Sequence, residues 1–392
     1  MSEIILSLIQ IFLMISIFYF FSVKLIKKTS IDLNFFNFIL IYHFIFTLLF
    51  YTYSIYEISD AKTVYFYASI NDFHNFLERN LIVENFALGQ NSMIIIVKYL
   101  IILFKFTYLS ATFFFSILSL IGLLIIYNLL STYYSEKNKK EFQIISLFFY
   151  FPSLHFWQIS LSKDAIIFLC ICLFILFQKD IIKYFFLGII SLSIIFLIRP
   201  YLIPFFVFFT YINIIFENKI DRRTKYLILI TSILPILYII PFTLRYVGLD
   251  IYVLIFDPSL LFNEIWRAIY RAQEVGLSQN AGINKKELNL VSQIFIYIFG
   301  PLNIFHPSIA YKIASLENIF LLIYFGYLFF NKNLLRIDLY RIILLLIFIS
   351  LLIILALRTS NYGISMRQKW MILPFLIIFL SNYFQNKNTN EN

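Results

Sequence analysis

Charged residues are scarce in this sequence. Asp, Glu, Lys and Arg make up only 13% of the 392 residues, whereas a soluble domain typically contains about 25% of them. This scarcity argues against a water-soluble domain, and 61% of the residues are hydrophobic. Because apolar runs of about 20 residues recur from end to end, the sequence predicts an all-α polytopic membrane protein, with residues 1–392 forming a single integral membrane domain.

Cysteine and histidine are also rare, which argues against disulfides and metal sites. Cys170 and Cys172 lie two residues apart within one apolar run, so they point to different sides of a helix and should not form a disulfide. His74, His155 and His306 lack the spacing of metal ligands. We therefore predict no metal site, divalent metals included, and no cofactor apart from the substrates.

Apolar runs of span length predict about eleven membrane crossings. They lie near 3–23, 35–54, 109–131, 142–159, 164–178, 182–198, 201–217, 226–245, 312–330, 340–357 and 369–384. Two further stretches are less uniform: 91–108 carries two lysines on one helical face, and 290–306 is interrupted by Gly300 and Pro301. We predict that both are interfacial helices, the second alternatively a re-entrant piece.

The distribution of Lys and Arg predicts the orientation. Basic clusters lie in alternate loops, for example at 24–28, 137–140 and 219–225. The positive-inside rule assigns these loops to the cytoplasm. The N-terminus is then outside, the C-terminus with its polar tail 385–392 is cytoplasmic, and two long loops, 55–108 and 246–311, are extracytoplasmic. Since topology explains the net charge of +10, we expect a lipid bilayer and no nucleic acid as partner.

Five cations oppose this topology signal because they lie in short loops on the predicted outer side. They are Lys163, Arg199, Arg358, Arg367 and Lys369. Each lies at the outer end of a predicted span, where a lipid phosphate would be, and Arg can bind phosphate through two hydrogen bonds. The alternative is that each side chain snorkels to the lipid headgroups. Five together, three of them close in one turn, favour a shared anion site.

Two groups of neighbouring acidic and basic residues each allow two interpretations. Asp164 either caps the first turn of its helix or orients Lys163 within a phosphate site. In the second long loop, Glu264, Arg267 and Arg271 share one helical stripe. They either pair with one another on a solvated face or form a clamp for glycan and phosphate.

The first long loop carries the candidate catalytic acids. Asp60 and Asp72 are candidates to flank a pocket together with Tyr67. A carboxylate near the membrane surface is the group that is needed to deprotonate a sugar hydroxyl. The alternative is that both are solvated loop acids.

Five motifs resemble bacterial membrane proteins of surface-polysaccharide assembly. The stretch D-A-x-x-x-Y-x-Y-A at Asp60–Ala68 resembles the acidic loop of type-C glycosyltransferases, which use polyprenyl-phosphate sugars. Four others are similar to motifs of exopolysaccharide and O-antigen polymerase-like proteins: FPSLHFWQISLSKD, LIRPY, IFGPLN and NYGISMRQKWMILP. Two spans precede the acidic loop here, whereas many type-C enzymes have one.

This resemblance implies roles for individual residues. Asp60 would be the base that activates the acceptor, and the second acid stays open between Asp72, Glu84 and Asp164. External arginines would hold the undecaprenyl pyrophosphate. The corresponding positions are Arg199, Arg245, Arg267, Arg358 and Arg367.

We therefore expect a glycosyltransferase in the bacterial cytoplasmic (inner) membrane, acting in O-antigen, capsule or exopolysaccharide assembly. It would transfer a sugar or oligosaccharide from an undecaprenyl-linked donor at the extracytoplasmic face, either as a single-sugar transferase or as a repeat-unit polymerase. Undecaprenyl-linked glycans and other polysaccharide-assembly proteins are its expected partners. A flippase for the same glycans is the alternative from another class, and it would need cations along a central cavity. A non-catalytic assembly subunit is the third alternative.

Overall fold

The computed structural model describes residues 2–29, 31–57, 59–70, 88–133, 139–217, 220–249, 260–278, 281–285, 288–330 and 338–381. Within these ranges the regular elements are helices and no strand occurs, so the all-α prediction is confirmed. The helices of the first half are α1 (Ser2–Ile26), α2 (Leu33–Tyr56), α3 (Asp60–Ser69), α4 (Gln90–Phe104), α5 (Tyr108–Tyr133), α6 (Lys139–Ser146), α7 (Pro152–Trp157), α8 (Lys163–Lys179) and α9 (Phe185–Ile198). Those of the second half are α10 (Ile203–Phe216), α11 (Arg222–Val247), α12 (Leu261–Leu277), α13 (Leu290–Phe299), α14 (Ile309–Phe330), α15 (Leu339–Arg358) and α16 (Tyr362–Ser381).

Six helices of the described chain are long and apolar enough to cross a membrane: α1, α2, α5, α14, α15 and α16. Each overlaps a predicted span, but α16 begins at Tyr362, seven residues before the predicted span 369–384, so Arg367 lies within the helix and not in the loop before it. In four of the six helices, α1, α2, α14 and α15, the outward face carries exposed large apolar side chains; in α1, for example, Phe12 is 70% and Phe20 is 67% exposed. Water disfavours such a continuous apolar surface, whereas lipid accepts it. The chain is therefore a membrane protein with several spanning helices.

The other five predicted spans are also helical, but four of them are short or interrupted. The segment 142–159 is divided into α6, a 3-10 turn at Leu147–Tyr150, and α7. Pro152 favours this division, because proline is suited to the first position of a helix and disfavours its continuation from the preceding residues. The helices α8, α9 and α10 contain 17, 14 and 14 residues, and a crossing needs about 20. The total of about eleven crossings stays a prediction.

The two predicted interfacial segments form α4 and α13. The helix α4 packs on α3 and ends at Lys105, whose backbone is left-handed with φ 55°. The helix α13 ends at Gly300, directly before Pro301. The predicted break at Gly300 is thus present, while the depth of both helices in the bilayer stays a prediction.

The chain divides into two compact units, of which the first comprises Met1–Phe174 and Ile189–Arg199. In this unit α2 packs on α5 and α7, and α1 packs on α5. Gly122 allows α5 to lie close to α8, because a Cβ at this position would be 3.2 Å from the Leu169 Cα.

The second unit comprises Ile175–Gly188 and Pro200–Asn392. Its central helix is α15, which packs on α10, α12, α13 and α16. Phe206 of α10 and Phe375 of α16 are fully buried, with their ring centroids 6.0 Å apart. This packing fixes the end of α15 and the start of α16, where three of the predicted outer cations lie.

Candidate functional site: a cavity at the end of α15

Three predicted cations lie at the end of α15 and in the first half of α16, on either side of the turn that joins these helices. Arg358 is the last residue of α15, and Arg367 and Lys369 lie in the first half of α16. Because α15 has 20 residues, it rises about 30 Å, which is the thickness of the hydrocarbon core. Arg358 is therefore at the depth of the lipid phosphates if α15 crosses the bilayer.

Backbone hydrogen bonds hold this turn against the loop 281–285. The Ile283 N–H donates to the Ser360 carbonyl over 2.7 Å, and the Tyr362 N–H donates to the Ala281 carbonyl over 3.2 Å. The turn thus has a defined conformation although it belongs to no helix.

The helix α12 lies directly against the same turn. Ser360 Oγ donates a short hydrogen bond to the Gln273 carbonyl, and Gln273 Nε2 donates to the Leu357 carbonyl over 2.6 Å. Gly276 provides the space for this contact, because a Cβ at this position would overlap Ser360 Oγ. The turn, α12 and α15 therefore form a fixed frame.

A cavity of about 290 Å³ lies within this frame. Its polar and aromatic lining consists of Tyr201, Arg358, Thr359, Ser360 and Gln368. The Arg358 guanidinium carbon is 4.5 Å from the centre of the Tyr201 ring, which is a cation–π contact. Thr359 Oγ1 donates to Gln368 Oε1 over 2.8 Å and so fixes the orientation of that amide. The cavity volume is at the lower end of the about 300–1,000 Å³ that is typical of small-molecule sites.

The lining suits an anionic ligand that also carries hydroxyl groups. Guanidinium, hydroxyl and amide groups supply hydrogen-bond donors, and the contact with Tyr201 orients Arg358 before a ligand binds. No carboxylate is among the described residues that line the cavity. The cavity can therefore bind a negative charge and stabilise one that develops in a reaction, but its described lining contains no carboxylate base.

Lys369 belongs to a separate buried network. Its side chain is only 3% exposed, and Nζ donates to Asn318 Oδ1 over 2.6 Å and to the Ile298 carbonyl over 2.9 Å. Asn318 Nδ2 donates in turn to the Pro301 carbonyl over 3.0 Å, which joins α16 to α14 and to the end of α13. Arg367 is half-buried and, like Lys369, is not among the residues that line the cavity. The structure thus does not gather all three cations of the turn around one cavity.

Lys285 is a further buried cation beside the turn. It is 2% exposed, and Nζ donates to the Ala356 carbonyl over 3.0 Å. Burial lowers the pKa of Lys285 to about 8, because the charged ammonium is removed from water. Sequence reasoning missed this residue, since a single lysine in a long loop is usually solvated.

Asp164 and Arg199 form a buried ion pair of 2.5 Å in the first unit. Asp164 lies in the first turn of α8 and Arg199 directly follows α9; their side chains are 4% and 11% exposed. Neither predicted role of Asp164, as a cap or as a partner that orients Lys163, includes this contact. The signal that could have found it is a pair of opposite charges at the ends of two consecutive apolar helices. Lys163, the chain neighbour of Asp164, is half-buried.

The predicted base Asp60 is an exposed residue of the first turn of α3. Ser59 caps this helix, and its Oγ accepts a hydrogen bond from the Lys62 N–H. A carboxylate at this position is stabilised by the helix dipole. Asp72 and Glu84, the other candidate acids of the loop, lie outside the described residues.

The two remaining predicted arginines are exposed. Arg245 lies in the last turn of α11, where a cation interacts favourably with the helix dipole. Arg267 is 70% exposed and forms an ion pair with Glu264 one turn earlier in α12. Pairing within the stripe is thus observed for Glu264 and Arg267, whereas Arg271 donates to the Arg267 and Gly248 carbonyls. The alternative, a clamp for glycan and phosphate, stays a prediction.

Comparisons with known proteins identify no relative. No family model, no curated protein and no solved structure matches the chain. In the part of the chain that the structure describes, no group of three His, Cys, Asp or Glu side chains has the arrangement of a metal site.

Proposed function

We propose that this protein is a membrane glycosyltransferase of surface-polysaccharide assembly, and that the cavity at Arg358 binds the phosphate of its undecaprenyl-linked donor. The observation that carries the proposal is a cavity with an oriented guanidinium at the end of a helix long enough to cross the bilayer. The phosphate of a polyprenyl carrier lies at this depth, whereas its isoprenoid chain lies in the hydrocarbon core.

The lining supports this choice of ligand. Arg358 has the planar donor pair that matches phosphate oxygens, and Thr359, Ser360 and Gln368 add hydroxyl and amide groups that suit a sugar. On the proposed topology, the positive-inside rule puts this end of α15 outside. An undecaprenyl-linked glycan presents its sugar on that side after it has been flipped.

The proposed reaction is a single displacement at the anomeric carbon. A general base accepts the proton of the acceptor hydroxyl, and the hydroxyl oxygen forms the new bond to that carbon; the resemblance to type-C enzymes implies Asp60 as this base. The bond from the anomeric carbon to the phosphate oxygen breaks, and its electron pair stays on the phosphate, where Arg358 stabilises the charge. The role of Asp60 rests on the resemblance to type-C enzymes. Transfer of one sugar and polymerisation of repeat units follow the same chemistry.

The test uses a strain that lacks this gene and that carries the wild type or a variant. We expect Arg358→Gln and Asp60→Asn to lose long-chain surface polysaccharide, because the first removes the phosphate contact and the second removes the base. Arg341→Gln is the matched control: Arg341 lies at the opposite end of α15, where it pairs with Asp338 over 3.5 Å. Wild-type polysaccharide in both site variants, with similar protein levels, would refute the proposal.

The same strains distinguish a transferase from a flippase. A transferase defect leaves the lipid-linked glycan on the outer leaflet, where periodate added to spheroplasts oxidises it. A flippase defect leaves the glycan on the inner leaflet, protected from periodate. Protected glycan in the Arg358→Gln strain would favour transport over transfer.

A further inference from the structure

Two histidines form a buried pair within the first unit. His43 of α2 and His155 of α7 are both 0% exposed, and their Nδ1 atoms are 2.7 Å apart. The other nitrogen of each ring, Nε2, points away from the partner histidine and faces a backbone carbonyl. His43 Nε2 is 3.1 Å from the Ser116 oxygen, and His155 Nε2 is 2.6 Å from the Phe149 oxygen. All three distances are hydrogen-bond distances.

Counting protons determines the charge that this chain of contacts requires. A carbonyl oxygen can only accept, so each Nε2 must carry a hydrogen. The contact between the two Nδ1 atoms needs one hydrogen more. Three hydrogen bonds therefore need three protons, whereas two neutral imidazoles carry only two. With only two protons, the two atoms of one contact would both present lone pairs to each other with no hydrogen between them. Such an unsatisfied contact is unfavourable in a buried site.

The elements around the pair supply no fixed counter-charge. The sequences of α2, α5, α7 and the 147–150 turn contain no Asp, Glu, Lys or Arg. The titratable group that faces the pair is Tyr42, whose ring lies 4.8 Å from that of His155 and whose hydroxyl donates to the Tyr150 carbonyl over 3.0 Å. Thr47 and Ser116 add a hydroxyl contact of 2.7 Å.

The other titratable groups of the packed elements lie far along α2. Tyr127 of α5 stacks on Phe35, eight residues before His43. Tyr108 of α5 donates to Ser54, and Asp60 and Lys62 belong to α3, which packs at that later end of α2. Ser54 is eleven residues after His43, which corresponds to about 16 Å along a helix. Among the described residues, the groups within hydrogen-bond distance of the two rings are therefore the two backbone carbonyls.

We propose that His43 and His155 form a proton-binding site that holds one excess proton between their Nδ1 atoms. The ligand is a single proton taken from water, and its release leaves two neutral rings that can satisfy only two of the three contacts. Because the rings belong to α2 and α7, uptake strengthens and release weakens the contact between these helices. This inference is independent of the proposed glycosyl transfer.

Nitrogen-15 NMR of the protein in lipid nanodiscs, with its histidine rings labelled with nitrogen-15, tests the proposal. The chain contains four histidines, so His74→Gln with His306→Gln leaves the pair as the only signal. At low pH we expect three of the four ring nitrogens to be protonated, with a nitrogen–nitrogen coupling through the shared hydrogen bond. Raising the pH should remove one proton in a single step and abolish that coupling.

Two outcomes would overturn the proposal: two protonated nitrogens at every pH, or four at low pH without the coupling. His155→Asn in the same background is the second variant. It should leave His43 with an independent titration of one ring and no coupling. Because the main measurement uses the intact pair, misfolding of His155→Asn would not prevent a decision.

Discussion

Replacing Arg199 with methionine should leave the carboxylate of Asp164 buried without its cation. The two side chains are 11% and 4% exposed and 2.5 Å apart, so little water can take the place of the guanidinium. Removing one partner of a buried pair typically costs about 3–5 kcal/mol, because the remaining charge is uncompensated. Asp164→Leu should lower the free energy of unfolding by a similar amount, because it leaves the guanidinium of Arg199 buried without the carboxylate.

The double variant should recover most of this loss. Asp164→Leu with Arg199→Met removes both charges and replaces them with apolar groups, which is often nearly neutral in a buried site. The interaction energy between the two substitutions should therefore be at least about 3 kcal/mol. The matched control is the pair Glu264 and Arg267, in which the arginine side chain is 70% and the glutamate side chain 17% exposed; because the arginine is largely in solvent, the same cycle should give about 0–1 kcal/mol.

The assay is reversible unfolding by sodium dodecyl sulfate in mixed micelles, followed by tryptophan fluorescence for all variants of both cycles. An interaction energy below about 1 kcal/mol for Asp164 and Arg199 would contradict the reasoning, because this is the value of an exposed pair. Such a result would mean that water or lipid headgroups reach the pair.

Other expectations concern Lys285 and two glycines. Because burial lowers the pKa of Lys285 from 10.5 to about 8, the unfolded chain binds more protons between these pH values, and wild-type stability should rise there by up to about 1.4 kcal/mol per pH unit. Lys285→Met should remove this slope in unfolding curves measured from pH 7 to 10. Gly188→Ala should cost about 1–3 kcal/mol in the same assay, since its Cβ would overlap the Phe177 ring. Gly326→Ala, with no atom within 4 Å, should instead stabilise by about 0.5–1 kcal/mol; equal effects of both alanines would contradict this packing.

The spanning helices were predictable because apolar length is a local property of the sequence. The runs at 3–23, 35–54 and 340–357 each produced a helix that extends the run by one to three residues at either end. The division of 142–159 was harder to predict, although Pro152 marks it, because hydrophobicity alone does not distinguish one helix from two short ones. Packing against the rest of the unit decides that choice.

The candidate site was predictable only in part, because side-chain partners depend on distant segments. The unusual position of Arg358 was visible in the sequence, but its contact with Tyr201 joins residues more than 150 positions apart. Lys369 has the same sequence signal as Arg358 and yet is buried against Asn318. The position of a cation at the end of a predicted span was therefore enough to select both residues. Only the fold shows that Arg358 lines a cavity, whereas Lys369 is buried in a hydrogen-bond network.

Direct binding of undecaprenyl phosphate to the protein in nanodiscs tests the central claim, that the cavity at Arg358 holds a lipid phosphate. We predict that Arg358→Gln weakens binding about tenfold or more, since a hydrogen bond to a charged group contributes about 1.5–3 kcal/mol. Arg341→Gln should bind like the wild type. Equal affinity of Arg358→Gln and the wild type would contradict the account.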